Sequence, residues 1–138
     1  MKKRVLFLCN HNACRSQMAE GYLRHFAGDR AEAYSAGIES TSVDPRAVAV
    51  MGELGIDISR QKSKSTDEFI GHTFDFIITV CDEAEARCPF FPGDAVRIHW
   101  SIREPARVEG EDEQQMREYR KVRDEIVERI DEFSSTSL

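Results

Sequence analysis

The sequence predicts an α/β protein with one open, mostly parallel sheet of four strands and helices on both faces of the sheet. Three observations lead to this fold class. Short apolar runs alternate along the chain with longer segments whose apolar residues recur at helical spacing. The 138 residues have the size of one compact domain, so we expect residues 1–138 to form a single domain. The sequence contains no internal repeat, low-complexity tract or linker.

The first half of the chain is predicted to form two strand-helix units. Val5–Leu8 is a short apolar run that ends in a polar loop, which is typical of a buried strand. Ser16 is a candidate N-cap of the helix that follows, and Gly28 is a candidate stop. The predicted elements in this half are a strand at 5–8, a helix from 16 to 28, a strand near 33–35, and a helix from the Asp44-Pro45 pair through Leu54 that ends at Gly55.

The second half contains the most apolar strand of the chain and its longest helix. Phe74–Val80 is apolar at nearly every position after Asp75, as expected for a central parallel strand with both faces buried. Glu111 and its acidic neighbours stand at the positive end of the last helix. The predicted elements here are strands at 74–80 and 96–100, a short helix at 82–87 that Pro89 and Pro92 end, a long helix up to Phe133, and an unstructured tail, Ser134–Leu138.

Charge and hydropathy exclude several classes of partner. The formal net charge is -6, and residues 104–132 hold 11 acidic and 6 basic side chains, which argues against binding to nucleic acid or an anionic membrane. No apolar run approaches the ~18 residues of a membrane helix. The apolar stretch near the N-terminus is shorter than the apolar region of a signal peptide. We therefore expect a cytoplasmic protein in which the four cysteines are free thiols, available for catalytic or redox chemistry rather than for structural disulfides, and we expect a monomer.

The loop between the first strand and the first helix has the composition of an anion-binding site. Backbone N–H groups and the helix dipole converge at such a junction. Cys9 and Arg15 bracket the loop, so that a guanidinium can grip two oxygens of a tetrahedral oxyanion while a sulfur lies beneath its central atom. The candidate substrate-binding residues are Asn10, His11, Asn12, Ala13, Cys14, Arg15 and Ser16.

Cys9 is the candidate nucleophile of this loop. The helix N-terminus favours the thiolate form of a cysteine placed there, and Ser16 is the candidate hydroxyl donor to its sulfur. Cys14 has no base or second thiol at a suitable spacing, so we assign it to packing. The alternative interpretation is a buried cysteine at the end of a strand, followed by an ordinary turn.

Cys81 and Cys88 form a second candidate thiol pair. Cys81 follows the central strand and therefore lies at the same edge of the sheet as Cys9. If the segment to Cys88 were helical, the two residues would be about 10.5 Å apart along the axis, whereas a disulfide needs Cα atoms within ~7 Å. Formation of a disulfide would therefore require the helix to unwind. Oxidation of the two thiols would then be coupled to a conformational change, as in a redox switch. The alternatives are two unrelated buried thiols or a zinc site formed by all four cysteines, although the cysteine spacings lack the short C-x2-C pairs that zinc sites favour.

The segment Cys9–Glu20, together with Tyr34–Ile38, resembles the thioredoxin-coupled arsenate reductases. These enzymes share their fold and anion loop with the low-molecular-weight protein tyrosine phosphatases. Gln17 favours the reductases, because the phosphatases usually carry proline at that position. The resemblance runs nearly from end to end of the chain and predicts the same α/β fold.

The resemblance implies a thiol relay. Cys9 attacks arsenate held by Arg15 and the loop amides, Cys81 attacks Cys9 and releases arsenite, Cys88 then attacks Cys81, and thioredoxin reduces the resulting disulfide. The family's general acid is an aspartate before proline, and Glu104 occupies that position here. No cofactor or metal is implied as a requirement.

Two positions depart from the family pattern. His11 replaces a glycine chosen for positive φ, and we interpret it as a solvated loop residue rather than a catalytic base. Some family members bind potassium through positions that match Asn12, Glu20, Ser35 and an aspartate whose place here is taken by Lys64. Potassium binding is therefore doubtful, and we hypothesise that the Lys64 ammonium replaces the ion, pairs with Glu20 and braces Asn12. The residues expected to support the loop are Asn12, Ser16, Glu20, Ser35 and Lys64.

Two other functions remain open at this point. One is a phosphatase that acts on aryl phosphates through Cys9 and Glu104 alone. The other is a non-catalytic sensor that uses its thiols to detect a metal or an oxidant.

Overall fold

The computed structural model describes residues 2–89, 91–107 and 109–138, with only the backbone of residue 107 described. Strands and helices alternate along the chain. The elements are β1 (Lys3–Cys9), α1 (Arg15–Ala27), β2 (Ala31–Gly37), α2 (Pro45–Gly52), β3 (Phe76–Thr79), α3 (Asp82–Ala86), β4 (Val96–His99) and α4 (Asp112–Ser137), with single 3-10 turns at Thr66–Phe69 and Pro105–Arg107.

The four strands form one parallel sheet in the order β2-β1-β3-β4. β1 has neighbours on both sides, and Val5–Leu8 within it is completely buried, because helices and loops cover both faces of a parallel sheet. The predicted α/β class with a four-stranded parallel sheet is confirmed.

Aromatic side chains show how the two faces are covered. On one face, Phe133 of α4 packs edge-on against Phe76 of β3 and against Trp100, which follows β4. Helices α1 and α2 pack against α4 on this side. On the opposite face, Tyr34 of β2 contacts the ring of Phe69, and α3 packs against β1 and β3. The sheet therefore lies between two layers, as predicted.

The caps of the helices agree with the sequence in part. The side chain of Asp44 accepts a hydrogen bond from the backbone N–H of Arg46 at 2.9 Å, so the predicted cap of α2 is confirmed. Gly28 ends α1 as predicted, with a right-handed backbone. The prediction that Ser16 caps α1 is wrong: the helix begins at Arg15, and Ser16 lies inside the first turn with its hydroxyl turned toward the loop.

The predicted unstructured tail is also wrong. α4 continues to Ser137, because Phe133 and Ser134 are buried and hold the last turns against the core. The hydroxyls of Ser135 and Thr136 each donate to the carbonyl of Glu132 at 3.0 Å and satisfy an acceptor near the end of the helix.

Element bounds differ from the predictions by a few residues. β1 and β2 are longer than predicted because their pairing continues up to Cys9 and Gly37. Four of the remaining elements are shorter at one or both ends: β3 lacks residues 74–75 and 80, β4 lacks residue 100, α2 ends at 52 and α3 ends at 86. None of the described helices is long and apolar enough to cross a membrane.

Candidate active site

The loop from Cys9 to Ser16 joins β1 to α1 at the carboxyl end of the parallel sheet. Among the described residues, Asn12 is the non-glycine residue with a left-handed backbone, at φ 50°. The prediction that the loop needs positive φ at His11 is therefore wrong by one position. His11 is exposed, and its Nδ1 lies 3.9 Å from a Glu39 carboxylate oxygen.

Cys9 lies at the bottom of this loop, buried at the end of β1. Its Sγ is 2.8 Å from the Ser16 Oγ. The same Oγ accepts a hydrogen bond from the Asn12 Nδ2 at 2.7 Å, which leaves the Ser16 hydroxyl proton available for the sulfur. Ser16 is thus arranged to donate to a Cys9 thiolate, as the sequence predicted.

Asn12 connects the loop to two other segments through a fully buried side chain. Its Nδ2 also donates to the Ser35 Oγ of β2 at 2.9 Å. Its Oδ1 accepts from the backbone N–H of Lys64 at 2.8 Å and from the Gln17 Nε2 at 2.8 Å. Because every polar atom of this amide has a partner, the left-handed turn at Asn12 is held in one conformation.

The carboxylate of Glu20 lies behind Asn12 and is surrounded by donors. The Ser35 hydroxyl donates to it at 2.5 Å, Arg24 at 2.6 Å, and the Lys64 Nζ lies 3.5 Å from its Oε1. Two cationic side chains already balance the single carboxylate, so these residues do not fit a bound potassium ion. The arrangement agrees with the hypothesis that Lys64 takes the place of the ion.

Gly37 at the end of β2 allows the loop to approach the sheet. A Cβ on this residue would lie 2.5 Å from the Glu39 carbonyl oxygen, 2.6 Å from the Asn12 backbone nitrogen and 2.7 Å from the His11 carbonyl carbon. These are backbone atoms that cannot turn aside, so only glycine fits here.

Arg15 extends from the start of α1 into the cleft above Cys9. Its guanidinium donates to the Ile102 carbonyl at 2.8 Å and to the Glu104 carboxylate at 2.9 Å. Its Nε is buried and has no hydrogen-bond partner among the described residues. Glu104, the candidate general acid, is thus in direct contact with the candidate oxyanion-binding group.

Two openings reach the loop, one on each side of the Arg15–Glu104 pair. A cleft of about 750 Å³ extends from Asn10 past Cys81 to the segment around Glu104. A smaller cavity of about 220 Å³ leads to Cys9 and is lined by Cys14 and Thr41. Arg15 and Glu104 line both openings.

Cys14 is buried between the loop and the remaining core. Burial raises the pKa of the Cys14 thiol well above its ordinary value, and the nearby carboxylates of Glu104 and Asp44 raise it further. This environment keeps the thiol protonated, in agreement with the packing role assigned to it.

Cys81 stands at the mouth of the larger cleft, at the N-terminus of α3. Its Sγ accepts a hydrogen bond from the Ala84 backbone N–H at 3.4 Å. Burial raises the pKa of the Cys81 thiol, while the Ala84 N–H and the charge of Arg15 partly oppose the increase. The thiol is close enough to Cys9 for the charge of one to affect the other.

Cys88 lies beyond the C-terminal end of α3 and is partly exposed. Arg97 of β4 donates from its Nη1 to the Cys88 Sγ at 3.0 Å. The helix between Cys81 and Cys88 spans only five residues, Asp82–Ala86, so the barrier to unwinding it is small.

His99 of β4 holds α3 against the sheet. Its Nε2 lies 2.9 Å from an Asp82 carboxylate oxygen and its Nδ1 lies 2.7 Å from a Glu85 carboxylate oxygen. Hydrogen bonds with His99 and Ser101 lower the pKa of Asp82, and the bond with His99 has the larger effect.

The sequence analysis missed several of these contacts. Arg24 could have been found from its position four residues after Glu20, where the two side chains share a helix face. Arg97 and His99 are two residues apart on a strand and so point to one face, but nothing in the sequence indicated which loop covers that face. Within the described residues, no group of three or more His, Cys, Asp or Glu side chains could hold a metal ion.

Comparisons with known proteins identify the family of the chain. The family model described as low molecular weight phosphotyrosine protein phosphatase matches residues 4–138. A relative from Halalkalibacterium halodurans named arsenate reductase is 46% identical over 98% of this chain and 97% of its own.

Two solved structures extend the comparison. The crystal structure of arsenate reductase from Archaeoglobus fulgidus matches with a TM-score of 0.74 and 37% identity, covering 94% of this chain and 97% of that one. A thioredoxin-dependent arsenate reductase from Corynebacterium glutamicum matches with a TM-score of 0.73 and 34% identity, covering 98% of this chain and 61% of that one. The chain therefore belongs to the low molecular weight phosphotyrosine protein phosphatase family, and within it to the arsenate reductases.

Proposed function

We propose that the protein reduces arsenate to arsenite through a relay of three thiols, Cys9, Cys81 and Cys88, and that thioredoxin recycles it. The observation that carries the proposal is the position of Cys81. This thiol stands in the cleft beside the anion loop and within electrostatic range of Cys9. Hydrolysis of a phosphate ester needs only the loop and an acid, so a second thiol at this place favours a redox reaction.

In the first step, the loop binds arsenate and Cys9 attacks arsenic. The Cys9 thiolate forms an S–As bond, one As–O bond breaks, and the oxygen leaves as water after Glu104 supplies a proton. Arg15 must exchange its contact with Glu104 for arsenate oxygens, while its bond to the Ile102 carbonyl keeps the side chain in place. Arsenic remains pentavalent in the adduct.

In the second step, Cys81 transfers the reducing electrons. Its thiolate attacks the Cys9 Sγ, the S–As bond breaks, and the electron pair of that bond stays on arsenic, which leaves as trivalent arsenite. The products are arsenite and a Cys9–Cys81 disulfide. Burial raises the pKa of the Cys81 thiol, and the Ala84 N–H and Arg15 offset only part of the increase, so Cys81 must lose its proton as it attacks Cys9.

In the third step, Cys88 attacks Cys81 and frees Cys9. The exchange conserves electrons: the Cys81–Cys88 disulfide forms, and Cys9 leaves as a thiolate that receives the Ser16 hydroxyl bond again. The five-residue α3 unwinds to bring the two sulfurs together. Thioredoxin then supplies two electrons to the Cys81–Cys88 bond, which places the enzyme in the reducing cytoplasm.

The cation site of some relatives is not required in this proposal. Lys64 and Arg24 place positive charge beside the Glu20 carboxylate. Glu20 in turn holds Ser35 and Asn12 in place behind the loop. The proposed reaction therefore includes no metal ion or organic cofactor.

Replacement of Cys81 by serine separates reduction from hydrolysis. We expect Cys81→Ser to lose arsenite formation while it retains hydrolysis of p-nitrophenyl phosphate, because Cys9, Arg15 and Glu104 are unchanged. Cys9→Ser, the matched control, should lose both activities. Arsenite formation by Cys81→Ser at the wild-type rate would contradict the relay and favour a mechanism with an external thiol.

A further inference from the structure

Arg97 is in contact with a reacting sulfur, and the steps described so far do not use it. Its Nη1 lies 3.0 Å from the Cys88 Sγ, which is short for a hydrogen bond to sulfur. The residue belongs to β4, so its backbone is fixed by parallel pairing with β3, where Arg97 is opposite Ile77. A rigid strand thus presents a cation to the thiol at the far end of the α3 segment.

The second partner of Cys88 is weaker and neutral. The Sγ can donate to the Pro89 carbonyl at 3.5 Å when it carries its proton. A thiolate cannot donate, but it accepts the Arg97 bond as a charge-assisted contact. Arg97 therefore interacts more strongly with the thiolate than with the thiol.

The charged groups on and beside α3 do not disrupt the contact between Arg97 and the Cys88 sulfur. On α3, the carboxylates of Asp82 and Glu85 are in contact with His99. The segment also carries Glu83 and Arg87, and β4 contributes Arg97 and His99. The His99 ring contacts two of the three helix carboxylates, those of Asp82 and Glu85, so these two are engaged by His99 and not by the Arg97 guanidinium.

We propose that Arg97 is a positioning residue for Cys88: its guanidinium holds the sulfur at the edge of β4 and stabilises the thiolate that reacts in the third step. This inference rests on the proposed relay. When the Cys88 thiolate attacks Cys81, the Cys9–Cys81 bond breaks and the Cys81–Cys88 bond forms.

The first test is the alkylation rate of Cys88 by iodoacetamide in the full-length reduced protein, followed residue by residue by mass spectrometry. We expect Arg97→Ala to lower the rate at neutral pH about 5-fold, the factor that an exposed charge interaction supplies, and to shift the rate profile to higher pH. Arg97→Lys should restore most of the rate, and Arg97→Gln should not. Arg30→Ala, at the opposite edge of the sheet, is the matched control and should match the wild type.

The second test separates the halves of the reaction. Without thioredoxin, Arg97→Ala should release arsenite in its single turnover at the wild-type rate, because Cys81 performs that step. With thioredoxin and its reductase, steady-state turnover should fall by about the same factor as alkylation. A wild-type alkylation rate in Arg97→Ala, or equal losses in Arg97→Ala and Arg97→Lys, would overturn the assignment.

Failure of the relay itself has a different signature. If Cys88→Ser turned over arsenate at the wild-type rate, the proposed function would be wrong, and turnover could no longer report on Arg97. The alkylation profile would still decide whether Arg97 stabilises the Cys88 thiolate. A slowed alkylation in Arg97→Ala and Arg97→Gln would then support the contact, and an unchanged one would refute it.

Discussion

Replacing Gly37 by alanine tests how closely the anion loop must approach the sheet. The added Cβ would lie 2.5–2.7 Å from three backbone atoms, which belong to Glu39, Asn12 and His11. Ordinary carbon contacts are about 3.5–4.0 Å, so the loop would have to move by about 1 Å. Gly37 also donates its backbone N–H to the Lys64 carbonyl at 2.8 Å, which prevents the strand from moving instead.

The expected cost follows from this overlap. Insertion of a methyl group into packed surroundings costs about 1–3 kcal/mol, and we expect the upper part of that range because backbone cannot rotate away. The functional cost should be larger, since a displacement of about 1 Å in a reacting site lowers the rate about 100-fold. Gly37→Ala should therefore fold but bind and reduce arsenate poorly.

Urea unfolding and phosphate binding measure the two effects separately. Gly52→Ala is the matched control, because a Cβ at Gly52 meets nothing within 4 Å and the residue lies in the last turn of α2. We expect the control to stabilise the protein by about 0.5–1 kcal/mol and to bind phosphate like the wild type. Wild-type stability and phosphate affinity in Gly37→Ala would refute the reasoning about the loop.

Three further predictions concern charge and thiol reactivity. Activity should be equal in potassium and sodium salts at the same ionic strength, because Lys64 already pairs with Glu20; strong activation by potassium would show that an ion binds there. Hydrogen bonds from Arg120 and Arg123 lower the pKa of Glu53, so its carboxylate stabilises the fold above its ordinary pKa and loses this effect as pH falls through the lowered value. Glu53→Gln should therefore be less stable than the wild type at about pH 7, and in urea titrations the deficit should shrink as pH falls below the ordinary pKa of glutamate; a deficit that does not change with pH would exclude the charge interaction. Cys14 should be the slowest of the four thiols to react with iodoacetamide, because burial raises its pKa; fast alkylation in the native protein would contradict its packing role.

Much of the fold and the centre of the site could be predicted from the sequence because they depend on local patterns. The apolar run Val5–Leu8 indicated a buried strand, and in the structure its residues are buried on both faces of the sheet. Cys9 and Arg15 bracket a loop at a strand-helix junction, where parallel topology always places the ligand site.

The errors arose where tertiary contacts override local preference. Ser16 has the residue type of a cap, but its hydroxyl is used by Cys9 and Asn12 instead. The polar tail after Phe133 has few apolar residues, yet the burial of Phe133 and Ser134 extends the helix through it. The contact between Arg97 and Cys88 joins a strand to a loop on the neighbouring segment, and no spacing in the sequence encodes it.

Mapping of disulfides after one turnover tests the relay most directly. Reduced protein receives one equivalent of arsenate without thioredoxin, is quenched with acid and is digested for mass spectrometry. The wild type should contain a Cys81–Cys88 bond and free Cys9, and Cys88→Ser should accumulate a Cys9–Cys81 bond, each with one equivalent of arsenite. Arsenite released while Cys81 and Cys88 remain reduced would contradict the account.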